Sequence, residues 1–293
     1  MKVIRFIYQY LRLFVRLVYL FLTNRKIGLE QYRCSFDLLS LRFDPDWEKS
    51  IYPAIENLFG RTTLRSSHNL LDLGDNTGLT AISLGKEYRN VKIYVLNSSS
   101  GLAGLIQKRV KDLNIANEEV VCGELTANLK KFPQENFDGA FCVFPKELLP
   151  KTVFKEIFRV LKKGAILGML IEAKDSTPEI RKVWRQLQLK HAGSLQRIMI
   201  NSRPASLNEL KKSVSFNGLR VLESWSGEIK IPYNSGSEAL EKMLNSGALA
   251  GYEACLNLRD DAKTKTDFAQ LIEKTGHTVT HHYFGLVAER RMK

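Results

Sequence analysis

Residues 70–81 read LLDLGDNTGLTA and have the form of a strand that enters a tight turn at the start of a helix. Gly74 and Gly78 would let backbone amides approach a ligand closely, and the helix expected from about Thr77 adds the positive end of its dipole. Many strand–turn–helix connections contain two glycines, so the stretch alone is equally consistent with a purely structural turn. The spacing of the segments that follow favours a ligand-binding turn.

Strand and helix patterns alternate after this stretch. The segments are VKIYVL, SGLAGLIQKRVKDLNI, EEVVCGEL, FDGAFCVF, KTVFKEIFRVLKKG and AILGMLIE, and the predicted helix in the fifth of them ends at Gly164. Such alternation implies right-handed βαβ units and therefore a parallel sheet with helices on both faces. Two later strands, at 219–231 and in TVTHHYFGLVAERR at the end of the chain, are separated by a helical insertion at about 233–277 and predict an antiparallel edge.

Several side chains follow the predicted strands at their carboxyl ends. Asn97 ends the second strand, nineteen residues after Gly78, where an acceptor for ribose hydroxyls belongs in a nucleotide-binding sheet. The third strand ends with CGEL, which puts Glu124 at the same edge of the sheet, and Phe144 ends the fourth strand. The carboxyl ends of parallel strands meet in one crevice, where open α/β sheets bind their ligands. We therefore expect these residues to lie near the glycine-containing turn.

The ordered set DLGDNTG (72–78), VLNSS (95–99), GEL (123–125), FDGAFCVF (137–144) and EIFRVLKKG (156–164) resembles the class I S-adenosylmethionine-dependent methyltransferases. It is most similar to the small-molecule, type 11-like branch, whose members carry D-x-G-x-G-x-G and R-V-L-K-P-G-G. The resemblance covers about residues 70–175. It implies a Rossmann-like, doubly wound α/β fold with a mostly parallel seven-stranded sheet and an antiparallel last strand, and S-adenosyl-L-methionine as the cofactor.

The resemblance also implies which residues bind that cofactor. They are Asp72, Gly74, Asn76 and Gly78 around the methionine end, Asn97 at the ribose, Glu124 and Leu125 near the adenine, and Phe144 beside the substrate. Two of them depart from the family pattern. Asn76 replaces the middle glycine, although asparagine tolerates left-handed backbone angles better than most residues. Asn97 replaces an acidic residue, which removes a charge-assisted contact to the ribose hydroxyls.

The N-terminal segment concentrates the basic charge of the chain, whose formal net charge is +13. Residues 1–29 contain six basic side chains and no acidic one. On a helix, Arg5, Gln9, Arg12 and Arg16 share a narrow stripe, and the remainder of the segment is almost entirely aliphatic or aromatic. An arginine near the centre would cost roughly 2.5–3.5 kcal/mol in a membrane-spanning helix. The pattern favours an amphipathic helix on an anionic membrane surface, with a true span, a targeting sequence and packing against the core as alternatives.

These observations predict three parts in the chain. Residues 1–29 form the membrane-surface helix, residues 30–67 form an N-terminal lid or linker, and residues 68–293 form the methyltransferase-like domain with the insertion at about 233–277. The predicted location is peripheral on the cytoplasmic face of a membrane, or mitochondrial in a eukaryotic source. The helical insertion and the lid would together cover the tail of a lipid-like acceptor.

The predicted activity is methyl transfer to a lipophilic small molecule such as a quinone, a sterol or another lipid. Methyl transfer from a sulfonium depends mostly on alignment and desolvation, so the sequence identifies no catalytic residue. Tyr32, Glu172, His281 and His282 are candidates, each more typical of a structural role. The four cysteines lack metal-binding spacing, and no metal site is expected.

Two other functions remain open at this point. A degenerate cofactor site, suggested by Asn76 and Asn97, would leave a binding or scaffold protein. The basic surplus would suit an RNA methyltransferase, but FPKE stands where enzymes that methylate adenine or glutamine nitrogen carry N-P-P-Y, which argues against nucleic acid as a partner.

Overall fold

A computed structural model describes residues 2–43, 45–64, 69–74, 77–88, 90–145, 151–199 and 203–291. In this part of the chain the helices are α1 Lys2–Leu22, α2 Leu29–Ser40, α3 Pro45–Gly60, α4 Leu79–Glu87, α5 Ser100–Asp112, α6 Leu125–Lys130, α7 Lys151–Val160, α8 Pro178–Lys190, α9 Leu207–Phe216, α10 Gly236–Asn245, α11 Tyr252–Cys255 and α12 Ala262–Glu273. A short 3₁₀ turn follows α8 at Ala192–Ser194.

The strands are β1 Asn69–Leu73, β2 Lys92–Asn97, β3 Glu118–Cys122, β4 Phe137–Val143, β5 Leu161–Glu172, β6 Leu219–Pro232 and β7 Thr278–Arg290. They form one seven-stranded sheet in the order β3-β2-β1-β4-β5-β7-β6. Strands β1 to β5 pair in parallel, whereas β7 is antiparallel to both β5 and β6. The predicted mostly parallel sheet with an antiparallel last strand is confirmed.

Helices cover both faces of the sheet, as a doubly wound fold requires. Consecutive residues of a strand point to opposite faces, so Phe141 of β4 belongs to one core and its neighbour Ala140 to the other. The first core includes buried residues of α3, α4, α5, α8, α10 and α12, and the second includes those of α6, α7 and α9. The predicted alternation of strands and helices is confirmed from β1 onward, whereas α6 at Leu125–Lys130 was not predicted.

The predicted boundary between α7 and β5 is wrong. The helix expected to continue to Gly164 ends at Val160, and β5 begins at Leu161, which pairs with Phe137 of β4. Gly164 has a φ of +76° inside the strand, near a register shift between β4 and β5. A glycine with positive φ is typical both of helix ends and of strand bulges, so the sequence pattern did not distinguish the two.

The segment at 30–67 is joined closely to the sheet. Helix α3 packs against β5, β6 and β7, with Ile51 and Leu58 fully buried, and Pro53 lies inside the helix without ending it. Helix α1 packs against α8 and the 3₁₀ turn. No helix in the described ranges is both long and apolar enough to span a bilayer. Helix α3 therefore covers one face of the sheet at β5, β6 and β7.

Candidate functional site

The glycine-containing turn connects β1 to α4. Gly78 is the N-cap residue of α4 and has a φ of +81°. A Cβ at this position would lie 2.9 Å from both Cγ atoms of Ile106 in α5. Both the left-handed backbone and the close packing therefore require glycine here. Asn76, the departure from the family pattern, lies outside the described residues, and its predicted role stays a prediction.

Asn97 ties the end of β2 to this turn. Its side chain is fully buried, its Nδ2 donates to the Gly74 carbonyl at 3.0 Å, and its Oδ1 accepts from the Ser99 backbone N–H at 2.9 Å. An aspartate could not make the first of these bonds, because a carboxylate has no hydrogen to donate. This is a physical reason for the amide in place of the expected acid. Contact between Asn97 and a ribose remains a prediction.

The other predicted cofactor residues also lie at the carboxyl-terminal edge. The Gly123 N–H donates to the Asn97 carbonyl at 2.9 Å, which brings the end of β3 beside β2. Glu124 is exposed and caps α6, accepting from the backbone N–H groups of Thr126 and Ala127, while Leu125 is buried. Although partial burial opposes it, these hydrogen bonds lower the pKa of Glu124. Its carboxylate is therefore ionised at neutral pH.

Phe144 lies at the end of β4. It is buried, has a φ of +46°, and meets Tyr283 of β7 edge-on with ring centroids 5.6 Å apart. A positive φ is uncommon for an aromatic residue and marks a backbone held in place by its surroundings. Its predicted position beside the substrate stays a prediction.

Side chains of α3 and α5 form a hydrogen-bond network with the turn, which the sequence did not predict. Arg109 of α5 donates to the Thr77 carbonyl at 2.7 Å and forms a two-pronged ion pair with Glu48 of α3, at 2.5 and 2.8 Å. The Thr77 hydroxyl also donates to Glu48. The three residues are 29 to 61 positions apart in pairs, so no local pattern could have identified them. The network fixes Thr77, the residue before Gly78, between two helices.

Helix α2 covers the start of α5 through a second contact. Asp37 accepts hydrogen bonds from the Ser99 hydroxyl at 2.6 Å and from the Gly101 N–H at 2.8 Å. A Cβ at Gly101 would lie 2.9 Å from the Asp37 backbone, so the two helices are in close contact. Because Ser99 also bonds to Asn97, α2 is positioned directly over the end of β2.

Asp72 is fully buried beneath the turn. Neither of its carboxylate oxygens has a hydrogen-bond partner of good geometry among the described residues. The backbone N–H of Ala81 is near enough to favour the charged form of the carboxyl. Burial, together with the charge of Glu118, raises the pKa of Asp72 to about 8, and burial raises the pKa of Glu118 to about 7. An unsatisfied buried carboxyl is costly, and such groups are frequent at ligand sites.

This arrangement predicts an unusual dependence of stability on pH. The unfolded Asp72 ionises near its ordinary pKa of 3.8, whereas the folded residue keeps its proton to about pH 8. Between these values the folded protein binds more protons, so its unfolding free energy falls as the pH rises, by up to about 1.4 kcal/mol per pH unit for one group. Asp72→Asn, which is neutral at every pH, should show a flatter profile.

The measurement is urea unfolding of the cofactor-free protein between pH 5 and 8. Glu119→Gln, an exposed neighbour of Glu118 on β3, is the matched control and should keep the wild-type profile. A wild-type slope in the Asp72→Asn variant would contradict the assignment.

Comparisons with known proteins find matches to the part of the chain that contains the turn between β1 and α4. Residues 70–164 match the family described as a methyltransferase domain. Residues 70–164 form a class I methyltransferase domain. A malonyl-(acyl-carrier protein) O-methyltransferase from Marinomonas sp. (strain MWYL1) is 27% identical over 218 residues, which cover 73% of this chain and 75% of the relative. The chain is an S-adenosylmethionine-dependent methyltransferase.

Solved structures confirm the fold. The (4+2)-cyclase SpnF is 18% identical with a TM-score of 0.54, and the match covers 82% of each chain. The YcgJ protein from Bacillus subtilis is 15% identical with a TM-score of 0.53, over 84% of this chain and 100% of that one. One fold hosts different chemistries, so the activity has to be argued from the site.

The residues of this methyltransferase fit the cofactor. The α4 N-terminus directly follows Gly78, and the buried Asp72 carboxyl lies below the turn without a hydrogen-bond partner among the described residues. When bound, S-adenosylmethionine supplies an electrophilic methyl group. The protein's part is to hold that group in line with an acceptor and to exclude water.

The catalytic candidates separate into two places. Tyr32, Glu172 and His281, which are far apart in the sequence, meet near the carboxyl end of β5. His282 points to the opposite face of β7, where its Nδ1 lies 3.5 Å from Asp175. The sequence could not show that three of these candidates form one group, because they are far apart in the chain.

Proposed function

We propose that this methyltransferase acts on a lipophilic small molecule at a membrane surface and is held there by α1. The observation that carries the proposal is the apolar face that α1 leaves uncovered. The side chains of Ile4, Phe6, Ile7, Tyr8, Leu11, Phe14, Val15 and Leu22 are between 55% and 76% exposed. A contiguous apolar patch of this kind marks an interaction surface on an otherwise folded protein.

The opposite face of α1 is docked on the protein. Leu20 is buried, Leu13 and Leu17 are partly buried against the core, and Arg16 donates to the Leu195 carbonyl at 2.8 Å. The Arg12 guanidinium lies against Gly193, where a Cβ would clash with it. Arg12 and Arg16 thus fix the helix to the region of the 3₁₀ turn. The sequence pattern had predicted that the whole basic stripe faces lipid phosphates.

This docking supports a membrane as the occupant of the exposed face. The segment at 1–29 has no acidic side chain to repel anionic lipids, and Arg25, which follows α1, is exposed and adds cationic charge. Aromatic side chains such as Tyr8 and Tyr19 suit the boundary between headgroups and acyl chains. An enzyme held in this layer reaches acceptors that do not leave the bilayer. The cytoplasmic leaflet is the proposed location.

Vesicle flotation tests the anchor. The variant Phe14→Glu places a charge in the exposed face and should reduce binding to phosphatidylcholine–phosphatidylglycerol vesicles by at least about tenfold, because burying one phenyl ring contributes about 1.5–3 kcal/mol. Phe216→Glu, at the end of α9 and 83% exposed, makes the same change of charge away from α1 and is the matched control.

Activity is measured with the same vesicles after a total lipid extract has been added to them. With labelled S-adenosylmethionine they should give labelled product in the organic phase, at a lower rate for Phe14→Glu than for Phe216→Glu. Equal flotation of both variants would overturn the anchor. Cofactor binding without transfer to any lipid fraction would favour the scaffold function instead.

A further inference from the structure

A polar cluster lies beside the cofactor turn, two strands away across β4. We call it the β5 cluster, and its members are Tyr32, Glu172, Arg203, Tyr252 and His281. They come from α2, the end of β5, the segment before α9, α11 and β7. At the usual strand spacing, two strands correspond to roughly 10 Å along the edge of the sheet. The cluster is therefore on the same edge as the predicted cofactor site.

Glu172 is the centre of the β5 cluster. Its side chain is only 4% exposed, and its carboxylate pairs with the Arg203 guanidinium through Oε2. Its other oxygen, Oε1, lies 3.9 Å from Nδ1 of His281, whose side chain is 1% exposed. This separation is slightly longer than a hydrogen bond, which is common for catalytic pairs before substrate is bound. The carboxylate is thus positioned to orient the imidazole.

The two tyrosines complete the group. Burial raises the pKa of Tyr32, with Arg203 opposing and with Cys255 and Glu172 adding to the effect. Burial also raises the pKa of Tyr252 to about 12, where Arg203 and Arg181 oppose the shift. Both hydroxyls therefore stay protonated at neutral pH and can act as hydrogen-bond donors. Tyr32, Tyr252 and Arg203 are only partly buried, so the cluster is open to solvent on this side.

Aromatic rings surround the cluster. The Trp47 ring lies 4.9 Å from the His281 ring, and Trp184 meets Tyr252 edge-on at 4.9 Å. Phe144, at the end of β4, packs on Tyr283, which pairs with Glu172 in the sheet. Ring faces and edges of this kind pack well against a planar aromatic ligand. A buried carboxylate, a cation and an imidazole within such walls suit a ligand that has an ionisable hydroxyl.

We propose that the β5 cluster binds a phenol or hydroquinone and that His281, oriented by Glu172, removes the proton from the hydroxyl that receives the methyl group. The acceptor O–H bond breaks and its proton passes to an imidazole nitrogen of His281. A lone pair of the oxygen forms the new O–CH₃ bond, and the electron pair of the broken S–CH₃ bond stays on sulfur. Arg203 stabilises the phenolate charge. The inference rests on the proposed transfer to a lipophilic acceptor.

The test compares two probes in vesicles, dodecylhydroquinone and palmitic acid. Palmitic acid is already ionised at neutral pH and needs no base. The wild-type enzyme should methylate the hydroquinone, and His281→Gln should lower its kcat by about 10²- to 10⁴-fold with little change in KM. Glu172→Gln, a change in a positioning residue, should give a smaller loss. His282→Gln, the neighbour on the opposite face of β7, is the matched control and should keep wild-type kcat.

A pH profile separates a base from a structural residue. Among the described residues, Glu172 faces His281 directly, Arg203 pairs with Glu172, and Tyr32 and Tyr252 interact with both Glu172 and Arg203, with Cys255 beside Tyr32 and Arg181 beside Tyr252. In His281→Gln the rate should rise steadily with pH as solvent deprotonates the phenol, whose pKa is about 10. The wild-type rate should instead reach a plateau. Cofactor titration by calorimetry, unchanged in the variant, shows that the fold is intact.

The outcomes are distinct. Wild-type kcat in His281→Gln, or loss of cofactor binding without the rise in rate at high pH, would overturn the role of His281. Methylation of palmitic acid but not of the hydroquinone would overturn the acceptor class and leave the proposed function standing. Transfer to neither probe would count against both proposals.

Discussion

Replacing Gly78 with alanine should weaken S-adenosylmethionine binding by at least about tenfold and lower the unfolding free energy by about 1–3 kcal/mol. Gly78 has a φ of +81°, and the new Cβ would lie 2.9 Å from both Cγ atoms of Ile106. Ile106 is fully buried in α5. The turn would have to shift away from α5, and the backbone amides at the start of α4 would shift with it.

Gly104→Ala is the control for this change. Gly104 is exposed on the same helix as Ile106, and a Cβ there would have no heavy atom within 4 Å. Alanine in an exposed helix position should stabilise the protein by up to about 1 kcal/mol and leave cofactor binding unchanged. Calorimetric titration and chemical denaturation measure both effects. Wild-type affinity in Gly78→Ala would show that the turn does not contact the cofactor.

The variant Arg109→Met should destabilise the protein by about 2–4 kcal/mol and also weaken cofactor binding. The Glu48 side chain is 11% exposed and the Arg109 side chain 24%, so removing the guanidinium leaves a largely buried carboxylate without its cation. Thr77 would lose the hydrogen bond to its carbonyl at the same time. Arg109→Lys keeps the charge but not the two-pronged geometry, so we expect it to recover only part of the loss.

Two further variants test whether the loss of stability comes from the Glu48–Arg109 ion pair. Lys49→Met removes the cation of the exposed pair with Asp46 on the same helix as Glu48 and should leave stability and cofactor affinity unchanged. The double variant Glu48→Gln/Arg109→Met removes the stranded charge and should be more stable than Arg109→Met alone. An Arg109→Met protein as stable as the wild type would show that the pair does not hold the turn.

Much of the site was predictable because the relevant signals are local. The order of strands and helices from residue 70 onward, the turn glycines and the strand-end positions of Asn97, Glu124 and Phe144 follow from short patterns. Asn97 shows the limit of such patterns. Its position was predicted, but its bond to the Gly74 carbonyl was not, because that bond depends on how the ends of β1 and β2 meet.

The N-terminal helix is a second case in which a local sequence pattern left a tertiary contact undetermined. Its composition predicted an amphipathic segment, and α1 is a helix over Lys2–Leu22. The sequence pattern placed the arginines of the basic stripe on the lipid side. In the structure, Arg16 donates a hydrogen bond to the carbonyl of Leu195, 179 residues away. A helical stripe shows which side chains share a face, but it does not show which face meets the protein.

The sequence by itself determined the class of fold, the glycine-containing turn between β1 and α4 and the apolar character of the first helix, because periodicity and turn chemistry act over a few neighbouring residues. Only the tertiary structure decided that Glu48 and Arg109 hold Thr77, and that Glu172 and His281 face each other beneath Tyr32 and Tyr252. These contacts join residues far apart in the chain. Their energies come from burial and charge at positions that exist only once the sheet has formed.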